Sequence, residues 1–275
     1  MPKIEDINTL PNNAYTFCNY FNCQDDISQL KAINYKNFYS CIISGKPGSG
    51  VTHILNAICC ENIKKNKRVM SITSQWLLYF FKKYKTIEEK NKLNTYLLSF
   101  DVLAIDNVQF LYRKSQAHSN HFINLLKLMR KCGKTIILGC SDISKDFTKS
   151  KQFEKNFNWR RIELKEVSGY DIYLALKSLC AAEDNVPDKL LYVISAYNGT
   201  MQEHINCLIS VRFNAKLKQL NSDEITQEQL NEEFELKKYF PKQQFRKTYI
   251  QSEINFPKKI YSAQEFKFLN AKTGL

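Results

Sequence analysis

Apolar and polar residues alternate along the chain with a period that changes several times, and each change marks an element. Residues 38–44, FYSCIIS, form a short β-branched and aromatic run with the pattern of a buried strand. A glycine-rich stretch follows. THILNAICCENIKK (Thr52–Lys65) then places Ile54, Leu55, Ile58 and Cys59 on one helical stripe, so the order is strand, loop, helix. RVMSITS (Arg68–Ser74) reads as a second strand, followed by one long amphipathic segment from Gln75 to Leu98. FDVLAIDNV (Phe100–Val108) is a third strand, almost wholly apolar up to Asp106, which requires burial on both faces. A helix at about Gln116–Lys131, a turn at Gly133, the strand KTIILGCSD (Lys134–Asp142) and a last strand RRIELKEV (Arg160–Val167) follow. Strands alternating with helices predict a parallel sheet with helical crossovers, an α/β base.

From Ser168 the pattern is helical only. It runs through SGYDIYLALKSLCAAED, PDKLLYVISAYN, TMQEHINCLISVRFNAKL and ITQEQLNEEFEL, punctuated by Pro187-Asp188 and Asn198-Gly199. These segments predict a small α-helical lid. After Leu236 the chain turns basic, aromatic and proline-broken (KKYFPKQQFRKTYIQ, NFPKKIY), the composition of a tail or peripheral arm. The expected division is an N-terminal segment 1–35, the α/β base 36–167, the helical lid 168–236 and the basic tail 237–275.

Composition narrows the setting. With 275 residues, 44% of them apolar, the chain has enough material for one large domain or two small ones. No stretch approaches the roughly eighteen uninterrupted apolar residues of a spanning helix, and MPKIEDINTL lacks a signal peptide's apolar middle. The expectation is a cytoplasmic protein with no membrane partner. Nine cysteines, an odd number without a CxxC pair, fit a reducing compartment, and Cys59 and Cys60 read as helix packing. Forty basic against 27 acidic residues give a net charge of +13. That charge suits a polyanionic partner such as nucleic acid or anionic lipid. The abundance of Lys, Asn, Ile and Tyr is equally what AT-rich coding would produce.

The chemistry lies between the first strand and its helix. Gly45, Lys46, Pro47, Gly48, Ser49, Gly50, Val51 and Thr52, with His53 next, map onto the phosphate-loop pattern G-x-x-x-x-G-K-S/T with one failure, Val51 in place of lysine. The context is that of a nucleotide site, because the loop leaves a strand and opens a helix, where N–H groups and the helix dipole favour phosphate. The lost lysine removes an attraction of roughly 4 kcal/mol for the terminal phosphates at an effective dielectric near 20. Lys46 has two readings, an exposed lysine or one that bends back or reaches a neighbouring subunit. In VLAIDNVQFL, Asp106 stands where a magnesium-holding aspartate belongs, with Thr52 as its companion ligand. Asn107 follows, where a water-activating acid is expected, and an amide accepts no proton from water. Ser141-Asp142 ends the next strand, where a sensor would face the outermost phosphate, and FEKNFNW (Phe153–Trp159) lies where a partner-directed arginine is expected.

With these motifs in order, the sequence resembles the AAA+ domain of the bacterial replication initiator DnaA and, more closely, its shortened Hda-like relatives. The likeness runs from YTFCNYF (Tyr15–Phe21) through the phosphate loop, RVMSITSQ, FDVLAIDNVQFL, GKTIILGCSD and NFNWRRIEL to ITQEQLNEEF. It implies a AAA+ P-loop base with a parallel sheet and a helical lid, bound ADP or ATP with Mg²⁺, and work in the control of replication initiation. The implied partners are a DnaA-type initiator, a DNA sliding clamp, non-specific DNA and further AAA+ copies in self-association. The region after Leu236 is too short and irregular for the DNA-reading helix-turn-helix of DnaA, and Hda-like relatives lack that module too. The family's finger arginine falls at Asn156, with Lys155 beside it and Arg160 and Arg161 beyond Trp159, and the lid's sensor arginine falls at Gln202. Of the clamp-binding peptide, INTLPN (Ile7–Asn12) keeps only Leu-Pro, and QEFKF (Gln264–Phe268) is a comparable partial match. The resulting expectation is an Hda-like regulator with little or no ATPase activity. Its alternatives are an active ATPase like DnaA or the helicase loaders, and a DNA-binding accessory protein on a dead ATPase scaffold.

Overall fold

The computed structural model describes residues 10–20, 40–112, 116–141, 159–180, 186 and 188–217. Contacts divide the chain into two units, Met1–Val167 and Ser168–Leu275.

The first unit is built on five strands: β1 (Ser40–Gly45), β2 (Val69–Thr73), β3 (Val102–Asp106), β4 (Thr135–Cys140) and β5 (Arg160–Leu164). Their order is β2-β3-β4-β1-β5, and every neighbouring pair is parallel. The chain leaves β1 for the edge strand β2, returns through β3 and β4, and then passes β1 to reach β5. This reversal of direction beside β1 is where open parallel sheets place their ligands, at the C-terminal ends of the strands. The loops after β1, β3 and β4 all emerge at that edge.

Burial on both faces, expected from the unbroken apolar strands, is what β1, β3 and β4 show, whereas β5 is exposed at Arg160, Arg161 and Glu163. Ile42, Leu103 and Ile105 join one core cluster with Phe80, Phe122 and Leu126, while Ile43, Val102 and Ala104 join another with Ile54, Leu55 and Ile58. Alternate residues of one strand therefore feed opposite cores. The helices that cover these faces are α1 (Val51–Lys64), α2 (Ser74–Lys83), α3 (Ile87–Leu98), α4 (Gln109–Tyr112) and α5 (Gln116–Lys131). Cys59 is fully buried, and burial pushes its thiol above the ordinary range, as a packing role requires.

One expectation needs correction. The segment Gln75–Leu98 is not one element but two helices, α2 and α3, parted at residues 84–86. The cause is a capping box: Thr86 Oγ1 accepts from Glu89 N at 3.2 Å, and Glu89 Oε2 accepts from Thr86 N at 3.0 Å and from Lys85 N at 2.9 Å. These bonds satisfy donors that would be orphaned at a new helix start, so a start here is favoured over continuation.

The second unit contains α6 (Gly169–Leu179), α7 (Asp188–Ala196) and α8 (Met201–Leu217). Ser168 and Asp171 form another capping box at the start of α6, and Ile172, Leu176, Leu191, Ile194 and Leu208 are buried. The expected helix ITQEQLNEEFEL, the tail 237–275 and most of the N-terminal segment lie outside the described residues. Among the described residues no helix is long and apolar enough to cross a membrane.

Candidate functional site

The loop that joins β1 to α1 owes its shape to three glycines. Gly48 and Gly50 have φ of 88° and 91°, in the left-handed region where a side chain is strained. At Gly45 the obstacle is space, because a Cβ would strike Ser49 Oγ and come within 3.2 Å of Leu164 Cβ. The turn closes with Ser49 N donating to Lys46 O at 3.0 Å, and α1 opens with Ile54 N donating to Gly50 O at 2.9 Å. The N–H groups of the first turn of α1 thus face the C-terminal edge of the sheet, as an anion cradle requires.

A brace on this loop was not anticipated from the sequence. Tyr20 OH donates to Ser49 O at 2.9 Å, and a Cβ on Gly50 would lie 2.5 Å from Tyr20 Cε2. His53 continues the brace: its ring centroid is 4.8 Å from that of Tyr15, and Nε2 lies 2.8 Å from Thr16 O. Burial holds the His53 ring below its ordinary pKa, against the Thr16 carbonyl, which favours the charged form. Asn12 N donates to Asn56 Oδ1 at 2.8 Å, and Asn56 Nδ2 donates to Thr52 O at 2.7 Å. The segment Leu10–Tyr20 is therefore stitched to the loop and to the first turns of α1. Tyr20→Phe should lower the stability of the base by about 1 kcal/mol, because the Ser49 carbonyl loses a buried donor. An unchanged urea midpoint would show that the brace carries no energy.

The structure brings Thr52 and Asp106 together. Thr52 Oγ1 donates to Asp106 Oδ2 at 2.6 Å, Asp106 Oδ1 accepts from Asn107 N at 2.8 Å, and Asp106 is 8% exposed. A hydroxyl and a carboxylate side by side at the foot of a phosphate loop form the oxygen donor set that Mg²⁺ prefers. Between them and the core stands Gly139 of β4. A Cβ there would lie 2.7 Å from Asp106 Oδ1, 2.9 Å from Leu55 Cδ1 and 3.2 Å from Val51 Cγ1. Val51, buried with Ile54, Leu55 and Ile137, is thus part of the core as well as of the loop.

Beyond Asp106 a polar network lines the same edge. Asn107 has φ of 58°, a left-handed backbone that Asn tolerates better than most residues, and Ser74 Oγ donates to its carbonyl at 2.7 Å. Gln109 Nε2 donates to Ser141 Oγ at 2.7 Å and reaches Asn107 Oδ1 at 3.4 Å. Gln109 was not singled out in the sequence, and its buried amide ties the ends of β3 and β4 together.

Lys46 Nζ sits 3.0 Å from Glu166 Oε2 in an ion pair whose side chains are 74% and 58% exposed, so the pair contributes little to stability. The loop's lysine is exposed and engaged by Glu166. Arg160 and Arg161 are exposed at the start of β5, where Arg160 pairs in register with Cys41, so they stand at the opposite edge of the sheet from the phosphate loop. Gln202 belongs to the second unit, with its Nε2 donating to Asn206 Oδ1 at 2.8 Å. Asp142, Lys155 and Asn156 lie outside the described residues.

Comparison with known proteins agrees with this architecture. Residues 15–160 match the family described as the bacterial DnaA ATPase domain. The chromosomal replication initiator protein DnaA of Streptococcus thermophilus is 28% identical over 149 residues, 50% of this chain and 32% of that protein. The chain thus spans about a third of the length of the curated relatives it matches. Domain III of the Thermotoga maritima replication initiation protein DnaA has a TM-score of 0.64 at 20% identity, covering 85% of this chain and 100% of that one. AMPPCP-bound DnaA from Aquifex aeolicus has a TM-score of 0.57 at 19% identity, covering 73% and 65%. A replication initiator DnaA bound to AMPPCP and single-stranded DNA has a TM-score of 0.56 at 20% identity, covering 76% and 69%. The fold is the α/β AAA+ fold, as the resemblance implies.

Proposed function

The chain belongs to the bacterial DnaA ATPase-domain family, and from that membership we propose that it is an Hda-like regulator of chromosomal replication initiation. It acts by contact with a DnaA-type initiator rather than by nucleotide turnover of its own. The observation that supports this is an intact cradle without its reactive groups. Gly48 and Gly50 hold the left-handed turn and Thr52 and Asp106 stand 2.6 Å apart, yet position 51 offers an aliphatic side chain and position 107 an amide.

Such a site holds a nucleotide as a structural piece. The backbone of the loop and the first turn of α1 supply N–H donors to the inner phosphates, and the missing ammonium weakens mostly the outermost one. ADP therefore loses less than ATP. Thr52 and Asp106 are the residues that would hold Mg²⁺, whose charge offsets that of the phosphates. Mass action then stabilises the fold, by about 2.7 kcal/mol at a hundredfold excess over the dissociation constant.

The test is a pull-down of the purified chain against purified DnaA and sliding clamp, with and without ADP. DnaA should be retained, and more strongly when ADP is present. A chain that retains no DnaA under either condition is not a regulator of this kind, and retention of the clamp alone would name a different partner.

A further inference from the structure

Within its own sequence the phosphate loop carries little positive charge. Across Ser44–His53 the only lysine or arginine is Lys46, and its ammonium is engaged by Glu166 at 3.0 Å. Position 51, which in the usual pattern would carry the compensating cation, holds a valine that is 8% exposed and turned toward Leu55 and Gly139. Beside it lies Asp106, also 8% exposed, which among the described residues accepts hydrogen bonds from two neutral groups, Thr52 Oγ1 at 2.6 Å and Asn107 N at 2.8 Å. Those bonds occupy one acceptor site on each carboxyl oxygen and bring no positive charge.

We propose that this loop binds a nucleoside diphosphate only together with a divalent cation, and that Val51 is the residue that makes the cation obligatory. The inference rests on the nucleotide-holding role proposed above. A diphosphate seated on the loop's N–H groups brings multiple negative charges close to Asp106, and like charges in a partly dehydrated cleft repel strongly. A lysine at position 51 would neutralise part of that charge whether or not metal were present. Valine does not, so the compensation falls to a hard dication, for which Thr52 and Asp106 provide two oxygen donors. The role of Val51 is thereby one of specificity: it converts a site that tolerates free nucleotide into one that takes the metal complex.

The experiment is a titration of the full chain, followed by thermal melting and by calorimetry, with ADP and Mg²⁺, with ADP and a chelator, and with Mg²⁺ alone. ADP with Mg²⁺ should raise the melting temperature. Chelation should weaken ADP binding by about a hundredfold or more, the order set by one like-charge pair a few ångströms apart at an effective dielectric near 20. Val51→Lys should bind ADP with chelator present and should gain more for ATP than for ADP. Because residue 51 is buried, a second variant guards against misfolding: Asp106→Asn keeps the size and a hydrogen-bonding oxygen but removes the charge, and its ADP affinity should no longer depend on Mg²⁺. Equal affinity of the natural chain in Mg²⁺ and in chelator overturns the metal requirement while leaving nucleotide binding intact. Absence of binding under every condition overturns both, and would mean that the loop persists only as a turn.

Discussion

Alanine at Gly50 is expected to cost the base about 2–4 kcal/mol, whereas alanine at Gly133 is expected to cost only about 1–2 kcal/mol. Both glycines lie at positive φ, 91° and 66°, so both substitutions carry the strain of a left-handed backbone. They differ in what the new methyl group meets. At Gly133 no atom lies within 4 Å, while at Gly50 the Cβ would fall 2.5 Å from Tyr20 Cε2. Tyr20 cannot simply swing aside, because its hydroxyl is bonded to the Ser49 carbonyl and its ring lies 5.3 Å from that of His53. The extra loss at Gly50 is therefore the cost of breaking the brace. Urea unfolding of the two single variants measures the difference. A Gly50→Ala, Tyr20→Ala double variant should lose less than the sum of its parts, since the collision is then already relieved. Equal losses at Gly50 and Gly133 would show that Tyr20 does not confine the loop.

What could be read from the sequence follows from the range of the interactions concerned. The phosphate loop, Asp106 and the alternation of strands and helices in the base are written in short, contiguous patterns: a strand, a glycine turn, a helix, and then an apolar strand ending in an acid. Local spacing is enough to find them. The break between α2 and α3 is also local, in the Thr86–Glu89 box, but the apolar periodicity continues across it and conceals it. The Tyr20 brace is of another kind. A hydroxyl bonded to a carbonyl 29 residues away leaves no periodic trace. Gln109 and Ser141 are likewise 32 residues apart and meet only because parallel strands end at one edge. Such contacts follow from topology, and the order β2-β3-β4-β1-β5 had to be known before they could be named.

Turnover of ATP by the natural chain should be indistinguishable from that of Asp106→Ala, and below that of a AAA+ site with its full set of groups by about 10⁴-fold or more. A positioned donor to developing charge contributes about 10²–10³-fold when it is lost, and two such losses, at Val51 and Asn107, already reach that figure. The structure gives each loss a physical form. Val51 is packed against Leu55 and Gly139 and brings no charge to the edge of the sheet, and Asn107, held in a left-handed backbone by its neighbours, presents an amide that takes no proton. Aspartate tolerates that backbone nearly as well as asparagine, so Val51→Lys, Asn107→Asp is a reasonable double variant on the same frame. It should remain slow, because the resemblance places the two remaining arginines of the reaction at Asn156 and Gln202, and neither is restored. A phosphate-release assay on the natural chain, the double variant and Asp106→Ala decides the matter. Robust turnover in the natural chain that disappears in Asp106→Ala would show the Thr52–Asp106 site to be a working ATPase, and the proposal of a regulator would give way to an enzyme of the DnaA or helicase-loader type.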